Sequence, residues 1–179
     1  PGTMIGVPGR TSCEKPNTQN IPRGEGFRRN IHARPGYQYG TVDYSALEMV
    51  TFAATIMARY GKSQIAAAIN RDMDLHCMTA SGLFDISYER IIELCATEKK
   101  GKKANPDAPT PHLDMRQGSK ALNFGGCGGL GPKAFQHYAR FQYGVDWTLA
   151  ECQQRIRRWK ATWPEIKRYL DDNSNTVEN

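Results

Sequence analysis

At 179 residues and 20.1 kDa, with 39% hydrophobic residues, the chain is long enough to bury one real core, and no apolar run approaches the length of a membrane span. Net charge +6 favours a polyanionic partner, although a basic balance of this size is also common in proteins that never meet nucleic acid. The five cysteines (Cys13, Cys77, Cys95, Cys127, Cys152) are odd in number, with no C-x-x-C pair, and nothing at the start reads as a signal peptide. Reduced thiols, a cytoplasmic setting and no zinc site are therefore expected.

Residues 1–30 are rich in Gly, Pro, Asn and Arg without sustained periodicity, and read as mostly loop, with Arg10, Asn17, Gln19 and Asn20 as its polar reach. Tyr37, Tyr39, Thr41 and Val42 form a β-prone lead-in to Asp43, and a helix begins immediately after it. A carboxylate at the C-terminal end of a strand can aim at Mg²⁺. The Tyr44 carbonyl beside it can join the coordination, because that ion prefers oxygen ligands. The other reading of Asp43 is a helix N-cap.

Leu47, Val50, Ala54 and Met57 recur at helical spacing, widened by Ala53, Ile56 and Tyr60, and predict a core-facing helix that breaks at Gly61. Further helices are predicted over 64–70, 76–84 and 88–96. Residues 98–111, EKKGKKANPDAPTP, combine charge, glycine and three prolines and read as a solvated loop.

The run RQGSKALNF over 116–124 sets a guanidinium, an ammonium and an aromatic ring four residues apart. On a helix Arg116, Lys120 and Phe124 then share a face about 12 Å long. Such a face suits a nucleoside triphosphate, with cations at the phosphates and the ring at the base or sugar. An ordinary amphipathic helix with two solvated charges fits the same spacing. Beyond it, Ala134, Tyr138 and Phe141 mark a helix ending at Gly144. Ile156, Trp159, Trp163, Ile166 and Leu170 form a stripe that must kink or restart at Pro164. Arg155, Arg157, Arg158, Lys160, Lys167 and Arg168 between them read as a solvated face, with DNA contact as the alternative.

Four stretches together resemble family A DNA polymerases, the group that includes bacterial DNA polymerase I and many phage replicases. GRTSCEKPNTQNIPR (9–23) is similar to the family's minor-groove segment, VDYSALE (42–48) to motif A, DLHCMTA (74–80) to a motif near the fingers base, and RQGSKALNFGG (116–126) to motif B. They occur in the family's order and cover nearly the whole chain. The resemblance implies an α+β, mostly helical fold, with partial palm strands and helical fingers of a right-hand polymerase. Residues 1–50 would be partial palm and 51–179 fingers.

It also implies roles. Asp43 and the Tyr44 carbonyl would hold Mg²⁺, two ions serving the complete enzyme. Arg116 and Lys120 would bind the β and γ phosphates, joined by His76, and Phe124 would meet the nucleotide. Glu48 would block the ribose 2′ position. Arg10, Asn17, Gln19, Asn20 and the Gly128 position would face DNA. Primer-template DNA and deoxynucleoside triphosphates are the implied partners, without a membrane.

The chain departs from the family where Gly128 stands at a position usually held by tyrosine, and where Ala46 and Met49 replace Gln and Arg. No His-Asp-Glu triplet is present, and His112-Leu113-Asp114 precedes motif B. The chain accordingly reads as a piece of something larger, inactive alone because the later palm carboxylates are missing. A single-subunit RNA polymerase is the alternative that Glu48 opposes. A non-catalytic nucleic-acid-binding module is the other.

Overall fold

Short-range hydrogen bonding dominates the computed structural model, which is mostly helical and describes residues 2–5, 11–17, 25–28, 30–44 and 46–174. It divides into two units, Pro1–Asp43 and Tyr44–Asn179. Arg10, Gln19 and Asn20 lie outside the described residues.

In the first unit, β1 (Gly2–Ile5) pairs antiparallel with β2 (Thr11–Glu14), Gly2 opposite Glu14 and Ile5 opposite Thr11, and a single helical turn, α1 (Glu25–Arg28), follows. Within residues 1–30, expected to be mostly loop, these short elements are additions that the sequence did not show, because four-residue strands are too short to reveal a period. Asn17 is exposed. The strand expected at Tyr37 to Val42 does not form. Residues 37–44 have no regular structure, and Tyr37, Tyr39 and Val42 are 67%, 67% and 95% exposed. β-prone side chains do not make a strand without a neighbouring ladder to accept their backbone groups, and among the described residues β1 and β2 pair only with each other.

The second unit is built from α2 (Leu47–Tyr60), α3 (Gln64–Ile69), α4 (Leu75–Phe84), α5 (Tyr88–Ala104), α6 (Pro111–Cys127), α7 (Pro132–Tyr143), α8 (Leu149–Thr162) and α9 (Pro164–Ser174). Its boundaries follow local chemistry. Gly61 (φ 75°) and Gly144 (φ 67°) close α2 and α7 in the left-handed region. Ser63, Asp74, Ser87 and Thr148 each accept an N–H of the first turn that follows, and Pro111, Pro132 and Pro164 open helices where their missing N–H costs nothing.

α6 runs through the core. Ala121 and Leu122 are fully buried with Phe135 and Ala139 of α7, Cys152 and Trp159 of α8, and Trp163 and Ile166 beyond it. Two glycines permit the indoles to approach. A Cβ at Gly118 would stand 2.3 Å from Trp147, and one at Gly126 would stand 2.6 Å from Trp159. Charged groups tie the periphery. Glu165 of α9 accepts the Gln64 and Ile65 N–H groups at 2.8 and 3.1 Å and so caps α3. Tyr60 donates to Asp172 at 2.7 Å, joining α2 to α9.

Two predicted features are corrected. On α2 Ala53 and Ile56 are buried as expected, together with Met49, whereas Leu47, Val50, Ala54 and Met57 are exposed. Residues 98–104 are the last turns of α5, and irregular chain is confined to 105–110. Glu98 turns inward to accept the His112 and Leu113 N–H groups at 3.0 and 2.9 Å and to pair with the His112 imidazole. That cap on α6 holds the helix where composition suggested loop.

Among the basic residues of α8 and α9, several are structural. Arg155 lies 4.8 Å over Phe84 and 4.3 Å over Trp147, Arg158 pairs with Asp85 and donates to the Leu83 carbonyl, and Arg168 lies 4.2 Å over Tyr60. No described helix is long and apolar enough to cross a membrane.

Candidate functional site

The expected face of α6 is present: Arg116, Lys120 and Phe124 line one cleft of about 500 Å³, joined by Ala46 and Val50 of the α2 region and by Ile69, Asp72, Met73, Asp74, Leu75 and His76 around the start of α4. Three positively charged or polar nitrogen-bearing groups and one ring thus converge from two helices. α4 and α6 are brought together by Asp74. Its Oδ1 accepts the His76 and Cys77 N–H groups at 2.9 and 3.0 Å, capping α4, while its Oδ2 accepts Nε–H and Nη2–H of Arg116 at 2.9 and 2.8 Å. One carboxylate therefore starts one helix and clamps the principal cation of the other.

Electrostatics follow from that clamp. Burial pushes the Asp74 carboxyl up, but hydrogen bonds from Arg116 and the Cys77 backbone, with the Arg116 charge, more than offset it and hold it below its ordinary value. Arg116 is likewise held above its own, burial opposing and Asp74 prevailing. Two guanidinium N–H groups go to Asp74 and a further contact goes to the Cys77 thiol, which leaves the rest to donate to a ligand.

His76 is a neutral donor. Burial, then the charge of Arg116, with Lys120 adding to both and Asp74 opposing, depresses its pKa from 6.5 to about 4. Asn123 gives an N–H to Nδ1 at 2.9 Å, so the imidazole proton sits on Nε2. Asn123 is fully buried. Its Oδ1 accepts Thr79 Oγ1–H at 2.9 Å and Trp159 Nε1–H at 3.0 Å, and Trp163 Nε1–H reaches Thr79 Oγ1 at 2.9 Å. This polar core fixes the ring from behind. In front, the Phe124 ring lies 5.5 Å from the imidazole and 5.9 Å from Lys120 Nζ.

The remaining expected residues of the second unit, Tyr44, Glu48 and Gly128, are not among this cleft's lining residues. Asp43 is exposed at the end of the first unit and Tyr44 is 75% exposed. Glu48 is exposed on the first turn of α2 and is not among the cleft's lining residues. Gly128 is exposed and borders another cleft, of about 570 Å³, with Gly129, Leu130, Trp159 and Leu170. No group of three or more His, Cys, Asp or Glu able to hold a metal occurs among the described residues. Asp74 and Asn123 were missed as site residues. For Asp74 the signal was an N-cap aspartate two residues ahead of a histidine, and for Asn123 none short of the tertiary fold.

The model of DNA polymerase family A matches residues 3–179. DNA polymerase I of Chloroflexus aurantiacus is 31% identical over 91% of this chain and 14% of its own length. The Pseudomonas aeruginosa DNA polymerase I is 28% identical over 93% and 15%, and that of Aquifex aeolicus 29% over 92% and 24%. The chain thus spans less than a quarter of the length of these relatives. It belongs to DNA polymerase family A.

Proposed function

We propose that this chain is the nucleotide-binding segment of a DNA-directed DNA polymerase, which transfers deoxynucleotides to a primer 3′-hydroxyl under template direction. Residues 1–50 serve as partial palm and 51–179 as fingers. The observation that carries the reading is the convergence of Arg116, Lys120, His76 and Phe124 on one cleft.

Each of these side chains has work suited to its chemistry. Lys120 and the outer N–H groups of Arg116 bind the β and γ phosphates and offset charge on the departing pyrophosphate. His76, neutral at physiological pH, donates Nε2–H to a phosphate oxygen without adding a charge. Phe124 covers the sugar and base. Asp43 and Tyr44 are exposed residues, and the carboxylate of one and the carbonyl of the other offer oxygen donors only, which fits Mg²⁺. Divalent ions bound there would stabilise charge on the attacking and leaving oxygens. Further carboxylates from the rest of the polymerase complete that set, so the 179-residue chain by itself is inactive.

Titration of the chain with a fluorescent deoxynucleoside triphosphate tests the cleft. Lys120→Ala removes a charge-assisted hydrogen bond and should weaken binding by about tenfold or more. Unchanged affinity in both Lys120→Ala and Phe124→Ala would overturn the assignment. Template-directed incorporation by the full-length protein tests the activity.

A further inference from the structure

We propose that the C-terminal turns of α5 form a cationic arm that grips the phosphate backbone of double-stranded DNA. It rests on the DNA reading above and extends it to a surface outside the nucleotide cleft.

The first half of α5 is fastened to the body by Ile91 and Cys95, which are 0% and 3% exposed. Glu98 is the last residue with a role in packing, since its carboxylate is spent on the N-terminus of α6. From Lys99 to Ala104 every residue is exposed. The helix therefore continues beyond the surface it packs on, and the side that carried Ile91 and Cys95 carries Lys99 and Lys102 there.

Lys99, Lys100, Lys102 and Lys103 fall within four residues of rise, about 6 Å, and within an arc of about 160°. That is one positive charge per roughly 1.5 Å, close to the one negative charge per about 1.7 Å of duplex DNA. None of the four is in an ion pair among the described residues. Glu93 pairs with Arg90, Glu98 is turned inward, and the nearest following acid, Asp107, lies in the exposed loop. Lys99 and Lys103 repel each other at i, i+4, and Gly101 weakens the helix between them. The carbonyl end of the helix offsets part of that repulsion, and a polyanion would relieve the rest.

Duplex is favoured over single strand by what the arm lacks. Residues 96–110 contain no aromatic side chain, whereas single-strand sites pair their cations with rings on which bases stack. Lysines without base-reading partners contact phosphates irrespective of sequence. Because Glu98 ties the arm to the end of the helix that bears Arg116 and Lys120, DNA held on the arm stays in register with the nucleotide cleft.

The test is fluorescence anisotropy of the 179-residue chain with a labelled 20-base-pair duplex, and with one of its strands, from 50 to 200 mM salt. Replacing Lys99, Lys100, Lys102 and Lys103 together by Gln, a good helix former, should reduce the slope of log K against log salt by roughly 2–4 for the duplex and lower duplex affinity at 50 mM by about tenfold or more. The single strand should change less. The fourfold Arg variant should retain duplex binding. A slope change below about 1, a larger effect on the single strand, or no duplex binding by the unaltered chain would overturn the arm. Binding of the fluorescent deoxynucleoside triphosphate by the Gln variant, read in parallel, reports on the cleft alone and separates failure of the arm from failure of the polymerase reading.

Discussion

Asn123 donates its amide N–H to Nδ1 of His76 across 2.9 Å and so fixes the tautomer of the imidazole facing the cleft, while burial and the Arg116 charge keep it neutral. The consequence is a pH dependence of stability. The folded imidazole titrates near 4 against 6.5 ordinarily. Between those values the unfolded chain binds more protons, so the stabilisation is complete above pH 6.5 and is lost as pH falls toward 4. At pH 5 the loss should be about 2 kcal/mol. Urea unfolding at pH 7 and pH 5 measures it, and His76→Gln should shrink the difference by that amount. An equal pH effect in both proteins would exclude His76 as its source.

Asn123 also serves two buried donors, Thr79 Oγ1–H and Trp159 Nε1–H. Asn123→Leu keeps the volume and strands both. Each orphaned donor costs about 1–3 kcal/mol, so a loss of roughly 2–6 kcal/mol is expected in chemical denaturation. A loss under about 1 kcal/mol would mean that the network contributes little.

How much of this could be read from residues alone depended on the range of the interaction. Gly61 and Gly144 ended helices as expected, because the left-handed conformation is a local demand. Arg116, Lys120 and Phe124 shared a face as expected, because i, i+4 spacing is set within one helix. α2 was legible only in part for a reason of the same kind: Ala53 and Ile56 are buried as expected, but Leu47, Val50, Ala54 and Met57 are not. Apolar residues surround it, and two stripes, Leu47-Val50-Ala54-Met57 and Met49-Ala53-Ile56, satisfy the helical period equally well. Only the partners α2 meets select the second. Residues 98–104 looked like loop until the α6 N-terminus supplied a partner for Glu98. The double use of Asp74 by α4 and α6 is tertiary in the same sense.

Gly126 in α6 and Gly128 just past its end should differ sharply in tolerance. An alanine Cβ at Gly126 would meet the buried Trp159 ring at 2.6 Å, while at Gly128 the nearest atom is the Gly125 carbonyl oxygen at 3.4 Å. Gly126→Ala should cost about 1–3 kcal/mol by overpacking, and Gly128→Ala about 0.5 kcal/mol or less. Thermal or urea unfolding of the two variants decides it, and equal costs would show that Trp159 yields.

For the full-length polymerase, Glu48 is expected to exclude ribonucleotides. Its exposure on the first turn of α2 means that Glu48→Ala removes no packing, so the fold should be unaffected. Ribonucleotide incorporation relative to deoxynucleotide should rise by about tenfold or more, on the scale of one removed steric or polar clash. Unchanged ribose selectivity in single-nucleotide extension would remove Glu48 from the site.

Under the proposed function, Phe124 bears on a subtler choice. Its ring lines the cleft beside His76 and Lys120 but carries no hydroxyl, so nothing at that position can replace a missing sugar 3′-OH. A polymerase with Phe here should discriminate against dideoxynucleotides. Phe124→Tyr adds the hydroxyl at the ring's edge without altering its packing volume by more than one oxygen, and because a site that hydrogen-bonds a hydroxyl discriminates strongly, the ratio of deoxy to dideoxy incorporation should fall by about tenfold or more. The readout is termination frequency on a defined template in the full-length protein. Equal ratios in the two proteins would mean that the Phe124 ring does not meet the sugar, and the nucleotide would then have to lie in the cleft in another orientation, with its base rather than its sugar over the ring.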